Sequence, residues 1–142
     1  MSDKLAHGPL GGSTAHLCVD MQNLFAEDTP WRTPWMDRVR PVVARLARRH
    51  AGSTIFTRFV PPERPEDVPG IWRHYFERWR EMTRERLDPR LLELVPELKE
   101  LVPPAAVIDK RVYSPFHDGR LLPYLRRRRI DSLVVSGAET DV

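Results

Sequence analysis

Three short stretches place charged or turn-forming residues where an apolar run ends. "VDMQN" puts Asp20 directly after Ala15–Val19, and "IDKRVYSPF" puts Asp109 and Lys110 together after a second apolar run. "VVSGAETDV" carries a third run (Leu133, Val134, Val135) into Gly137 and a small polar turn. In many α/β enzymes such a turn delivers a reactive side chain to the start of a helix. A carboxylate and an ammonium converging there are what a cysteine nucleophile needs. The carboxylate accepts the thiol proton, while the cation and the helix dipole hold the thiolate. Neighbouring residues of a strand face opposite sides, so only one of Asp109 and Lys110 can join a common site. Singly, an aspartate at a strand end often only caps a turn, and a lysine there is commonly solvated. Their joint spacing favours chemistry.

These residues need elements to position them. Ala15–Val19 reads as a buried strand, and Ser53–Phe59 ("STIFTRF") as a second by its β-branched and aromatic content. "AAVID", ending at Lys110, is a third and "SLVVSG" a fourth. Between the first two, Asp37 can cap a helix that tolerates Pro41 in its first turn and closes at Gly52, with Val39, Val42, Val43, Leu46 and Ala47 on one face. The proline-rich stretch 60–70 is a loop. "IWRHYFERWREM" then lays Trp72, Tyr75, Phe76 and Trp79 along a helical stripe. Asp88–Pro89 opens another helix, and Asp118–Arg129 fits a last one. Strands alternating with helices predict an α/β fold: a Rossmann-like three-layer αβα sandwich around a parallel sheet, with its first strand between the second and the fourth. Such sheets carry their chemistry at the strand carboxyl ends, near the switch in strand order.

Composition bounds the class. The chain has 142 residues, 41% hydrophobic and 30% charged, enough for one domain with a core. Residues 1–13 read as a flexible polar tail and 14–142 as the domain. No apolar run is long enough to cross a membrane, the start has no signal-peptide pattern, and the single cysteine, Cys18, fits a reducing compartment, so a cytoplasmic protein is expected. The net charge of +3 and pI near 9.4 invite a nucleic-acid reading. The basic residues are interleaved with acids, however. The dense run Arg126–Arg129 suits the last turn of a helix, so neither a nucleic-acid nor a membrane partner is expected.

Together, "LCVDMQNLF", "DKRVYSPFHDGRL" and "LVVSGAETDV", in this order and spacing, resemble the isochorismatase-like cysteine hydrolase superfamily over Ala15–Val142. The resemblance implies Asp20 as general base and Lys110 as the cation that orients and stabilises charge. It implies that the turn from Gly137 to Val142 leads into the nucleophilic cysteine, expected right after Val142. It also implies a non-proline cis peptide at Ala138–Glu139 beside the oxyanion site, and a homo-oligomer, a dimer or higher. Cys18, inside the first strand, is expected to be a small buried hydrophobe.

The complete enzyme implied is a hydrolase of small amides or N-carbamoyl and ureido compounds working through a thioester. The alternatives are a cysteine-free vinyl ether hydrolase of the isochorismatase type, or a catalytically silent scaffold. Nicotinamidases of the superfamily add a D-x-H metal motif after the second strand. Here that region offers His74 alone, too few ligands, so no metal and no cofactor are expected. A small-molecule substrate is expected to meet Gln22 and Phe25 of the first motif. Arg58 could fork onto its carboxylate or serve as a structural ion pair. Trp72, Tyr75, Trp79 and Tyr113 could wall its pocket or belong to the core.

Overall fold

The computed structural model describes residues 4–139. Four strands, β1 (Thr14–Val19), β2 (Thr54–Phe59), β3 (Ala106–Lys110) and β4 (Ser132–Gly137), form one parallel sheet in the order β3-β2-β1-β4. The expected central β1 is therefore found, and the order reverses there. Strand alternation divides the core. Cys18 and Phe56 face one layer with Val43, Ala44 and Ala47, whereas Ala15, Leu17, Val19, Ile55 and Ile108 face another with Leu121 and Leu125. Helix α5 (Leu121–Arg127) supplies that second layer. The first is covered by α1 (Asn23–Ala26), α2 (Met36–Arg49), α3 (Gly70–Arg78) and α4 (Pro96–Lys99). The result is the three-layer αβα sandwich.

Several boundaries differ from expectation for physical reasons. Asp37 lies inside the first turn of α2 and does not cap it; the helix starts at Met36, whose buried side chain anchors it. Val42, expected on the buried face, is exposed, while Met36, Val43, Ala44 and Ala47 form that face. The aromatic helix stops at Arg78, and a separate turn spans Arg80–Met82. Asp88 does accept from the Arg90 N–H (2.9 Å), but only a single 3₁₀ segment, Pro89–Leu92, follows. The carbonyls a longer helix would use are taken elsewhere. Asn23 Nδ2 donates to Arg90 O (3.0 Å), the Asn23 backbone N–H donates to Glu93 O (2.9 Å), and Gln22 pairs with Leu94 in an antiparallel bridge. Helix α5 begins at Leu121 and not at Asp118, because Asp118 and the Asp109 carbonyl hold the Arg120 guanidinium in the preceding turn.

Candidate functional site

Past Cys18 the β1–β2 register ends, and one last backbone contact at Asp20 is followed by contacts through side chains. Asp20 turns out of the sheet with φ +52°, a left-handed conformation that aspartate tolerates better than most residues. Its backbone N–H reaches Thr57 O (3.2 Å), and its carboxylate Oδ1 accepts from the Thr57 hydroxyl (2.7 Å). Oδ2 lies 2.8 Å from Lys110 Nζ, with both side chains almost wholly buried (3% and 6% exposed). Lys110 also donates to Tyr113 O (2.8 Å) and stands over the Phe59 ring at 5.9 Å. A buried ion pair survives only when its remaining hydrogen-bonding capacity is met. Thr57 and the Tyr113 carbonyl meet it here.

This pair forms the floor of a cleft of about 300 Å³ at the carboxyl ends of the strands. Phe25, Trp31 and Phe59 wall one part of it, and Trp72, Tyr75 and Tyr113 another; Arg32 and Glu139 add charge. The rings interlock: Trp72 meets Tyr113 edge-on at 5.3 Å and Tyr75 at 5.7 Å, while Trp31 lies 6.1 Å from Tyr75. Burial pushes the Tyr75 phenol above its usual range, and the nearby Tyr113 and Glu139 add to the shift.

The end of β4 completes the site. Gly137 pairs with Val19 and takes φ +135°. A Cβ there would lie 2.2 Å from Val19 O and 2.7 Å from Val19 N, so only glycine lets β4 approach β1 this closely. The next residue, Ala138, donates its N–H to Val19 O (3.1 Å). An amide spent on the ladder in this way is not available as an oxyanion donor. The cis peptide bonds among the described residues are Val102–Pro103 and Pro103–Pro104. The expected one at Ala138–Glu139 is not among them, and the chain bends at Ala138, just after the positive φ of Gly137. Thr140 to Val142 lie outside the described residues, and the cysteine expected right after Val142 is not among these 142 residues.

Other expected contacts separate into two groups. Phe25, Trp72, Tyr75 and Tyr113 line the cleft as anticipated, and Asp109 is turned away from it. Gln22 does not reach it: its fully buried carboxamide accepts from Phe59 N–H (2.7 Å) and donates to Phe59 O and Leu92 O (2.9 Å each). Arg58 is the structural ion pair, its fork closed on Asp109 at 2.7 and 2.9 Å with Glu93 at 3.6 Å, because alternation along β2 turns it away from the face that carries Phe59. Trp79 stands behind the wall, 6.2 Å from Trp31. Thr57, Trp31 and Arg32 were not anticipated. A threonine in the carboxyl half of β2 was the available signal for Thr57. Trp31 and Arg32 sit in a loop, where hydrophobic periodicity carries no information.

Cys18 is fully buried, and burial pushes its thiol up to about 12, with the Asp20 charge adding to the rise and Ser136 opposing it. It is therefore a core side chain beside the site. His74 is exposed, its Nδ1 3.1 Å from Glu77. Among the described residues no three His, Cys, Asp or Glu side chains group to hold a metal, and no helix is long and apolar enough to cross a membrane.

Residues 14–142 match the isochorismatase domain, and the chain belongs to that family. Its fold is similar to a cysteine hydrolase from Pseudomonas syringae pv. phaseolicola 1448A (26% identity, TM-score 0.72), covering 96% of this chain and 65% of that one. It is also similar to an isochorismatase family protein from Desulfovibrio vulgaris (25% identity, TM-score 0.70, 88% and 66% covered). A third likeness is N-carbamoylsarcosine amidase from Thermoplasma acidophilum (25% identity, TM-score 0.62, 87% and 65% covered). The chain thus spans just under two thirds of the length of the Pseudomonas enzyme. No curated protein matches it.

Proposed function

We propose that the protein is a cysteine-dependent hydrolase of small amides or N-carbamoyl and ureido compounds. The observation that carries this reading is the buried Asp20–Lys110 pair, 2.8 Å apart at the strand carboxyl ends and open to an aromatic cleft beside the β4 turn. A thiolate delivered by that turn attacks the substrate carbonyl carbon. Its proton has passed to Asp20, and Lys110 balances the charge that moves between carboxylate and sulfur. The tetrahedral intermediate collapses with cleavage of the C–N bond, and Asp20 returns the proton to the leaving nitrogen. Water then gives a proton to Asp20, attacks the thioester and releases the acid with cleavage of the C–S bond. The aromatic walls keep bulk water out. The fold similarity to a cysteine hydrolase and to N-carbamoylsarcosine amidase supports the same class.

The test is turnover of a panel of small amides and N-carbamoyl compounds by the protein, its Asp20→Asn variant and protein alkylated with iodoacetamide. Loss of hydrolysis in both treated forms, with a mass adduct on the cysteine expected right after Val142 and none on the buried Cys18, is the expected result. Full activity after complete alkylation would overturn the reading.

A further inference from the structure

We infer that Arg32 reads a carboxylate on the substrate, so that the cleft takes flat, apolar amides or ureides that also carry an acid group. The assignment rests on the proposed hydrolase site and names what that site selects. Four charged side chains line the cleft: Asp20, Lys110, Arg32 and Glu139. Asp20 and Lys110 neutralise each other on the floor, 2.8 Å apart and buried. Arg32 differs from Lys110. Its guanidinium meets one partner among the described residues, Asp37 at 3.4 Å, with both side chains about half or more exposed (49% and 67%). A single long contact in solvent is weak and readily exchanged. A carboxylate arriving along an apolar wall offers instead the two parallel hydrogen bonds that suit a planar guanidinium.

The loop that presents Arg32 is built to hold it there. The Thr29 hydroxyl donates to Leu24 O (2.6 Å) and accepts from Trp31 N–H (3.2 Å). Arg32 N–H donates to Thr29 O (3.1 Å) and Thr33 N–H to Phe25 O (2.9 Å). Trp31 therefore packs against Phe59 and Tyr75 while Arg32 stands at the same opening. The indole N–H of Trp31 is buried without an acceptor, a second donor unused in this wall. Arg58, the other candidate for a carboxylate, is ruled out by its closed fork on Asp109.

The test uses two probes of one shape, phenylacetate and phenylacetamide, titrated against the protein by calorimetry or by tryptophan fluorescence. The anion is expected to bind about tenfold or more tighter than the neutral amide, a difference of about 1.4 kcal/mol. Arg32→Ala should bring the two within about twofold by weakening the anion alone, and Arg32→Lys should fall between, since it keeps the charge and loses the fork. Equal binding of both probes to the unaltered protein, or a preference for the anion that survives Arg32→Ala, would overturn the assignment. Binding is read without turnover. A protein that binds the anion through Arg32 but hydrolyses nothing would count against the hydrolase and not against Arg32.

Discussion

The Gln22 carboxamide closes on the backbone of Phe59 from both sides, accepting from its N–H at 2.7 Å and donating to its carbonyl at 2.9 Å. A side chain thus continues the β1–β2 ladder where the β1 backbone has already turned away at Asp20. The Phe59 ring is thereby fixed as a cleft wall and as the surface under Lys110.

Gln22→Ala should accordingly damage the fold more than the chemistry. It leaves the two buried backbone groups of Phe59 and the partly buried Leu92 carbonyl without this partner, at a cost of about 2–4 kcal/mol. Urea denaturation should report that loss, while KM at a permissive temperature stays within about twofold of the parent. A raised KM with unchanged stability would restore Gln22 as a substrate ligand.

Asp20→Asn and Lys110→Ala should each lower kcat by about a thousandfold or more if they hold and move the proton as proposed. The lysine variant strands a buried carboxylate and should also lose about 3–5 kcal/mol of stability, so its activity belongs beside its melting curve. Thr57→Val removes only the hydroxyl that steadies Asp20 and should lower kcat by about tenfold with little change in KM. Unchanged kcat in Thr57→Val would show that Asp20 needs no such support.

Gly137→Ala should be among the most disruptive single changes, costing about 3 kcal/mol or more. The added methyl would lie 2.2 Å from Val19 O, which cannot move without opening the β1–β4 ladder. Thermal unfolding of this variant beside Gly52→Ala, where the added carbon meets nothing within 4 Å, isolates the packing effect.

Acid should weaken the fold through His16. Burial, helped by the charge of His50, lowers its pKa from 6.5 to about 4. The Thr54 hydroxyl donates to His50 O (2.9 Å), so it accepts from His16 Nδ1–H (3.2 Å), and Nε2 is left to accept from Ser136 at 2.6 Å. This network suits the neutral ring. Because the folded pKa lies below the unfolded one, the unfolded chain takes the proton first. Stability from this group is whole above 6.5 and is lost as pH falls toward 4, by at most about 1.4 kcal/mol per pH unit. Urea midpoints across that window should fall more steeply for the parent than for His16→Gln; equal slopes would refute the contribution.

Much of this was legible in the sequence, for definable reasons. Each of the four strands was placed within one residue, because β1 is a buried apolar run, β2 is β-branched and aromatic, and β3 and β4 are short runs closed by polar or glycine residues. Asp20 and Lys110 followed from strand ends, and Trp72 and Tyr75 from helical spacing. What failed was what neighbours decide. The Asp88 cap is present, yet Gln22 and Asn23 claim the carbonyls its helix would have used. Arg58 and Gln22 have ligand chemistry in isolation, and only the fold shows their donors already spent. Trp31 and Arg32 belong to a loop whose path depends on the Thr29 hydroxyl, a contact no periodicity announces.

One consequence follows from where Cys18 lies. It is the single sulfur nucleophile within these 142 residues, near the carboxyl end of the interior strand β1, and its thiol is pushed up to about 12. A disulfide reagent in solution therefore cannot reach it until β1 parts from its neighbours. Its labelling rate becomes a clock for that opening, on the same footing as amide exchange of the slowest core protons. The integrity of the sheet can thus be timed at Cys18 itself, from the one thiol these 142 residues carry.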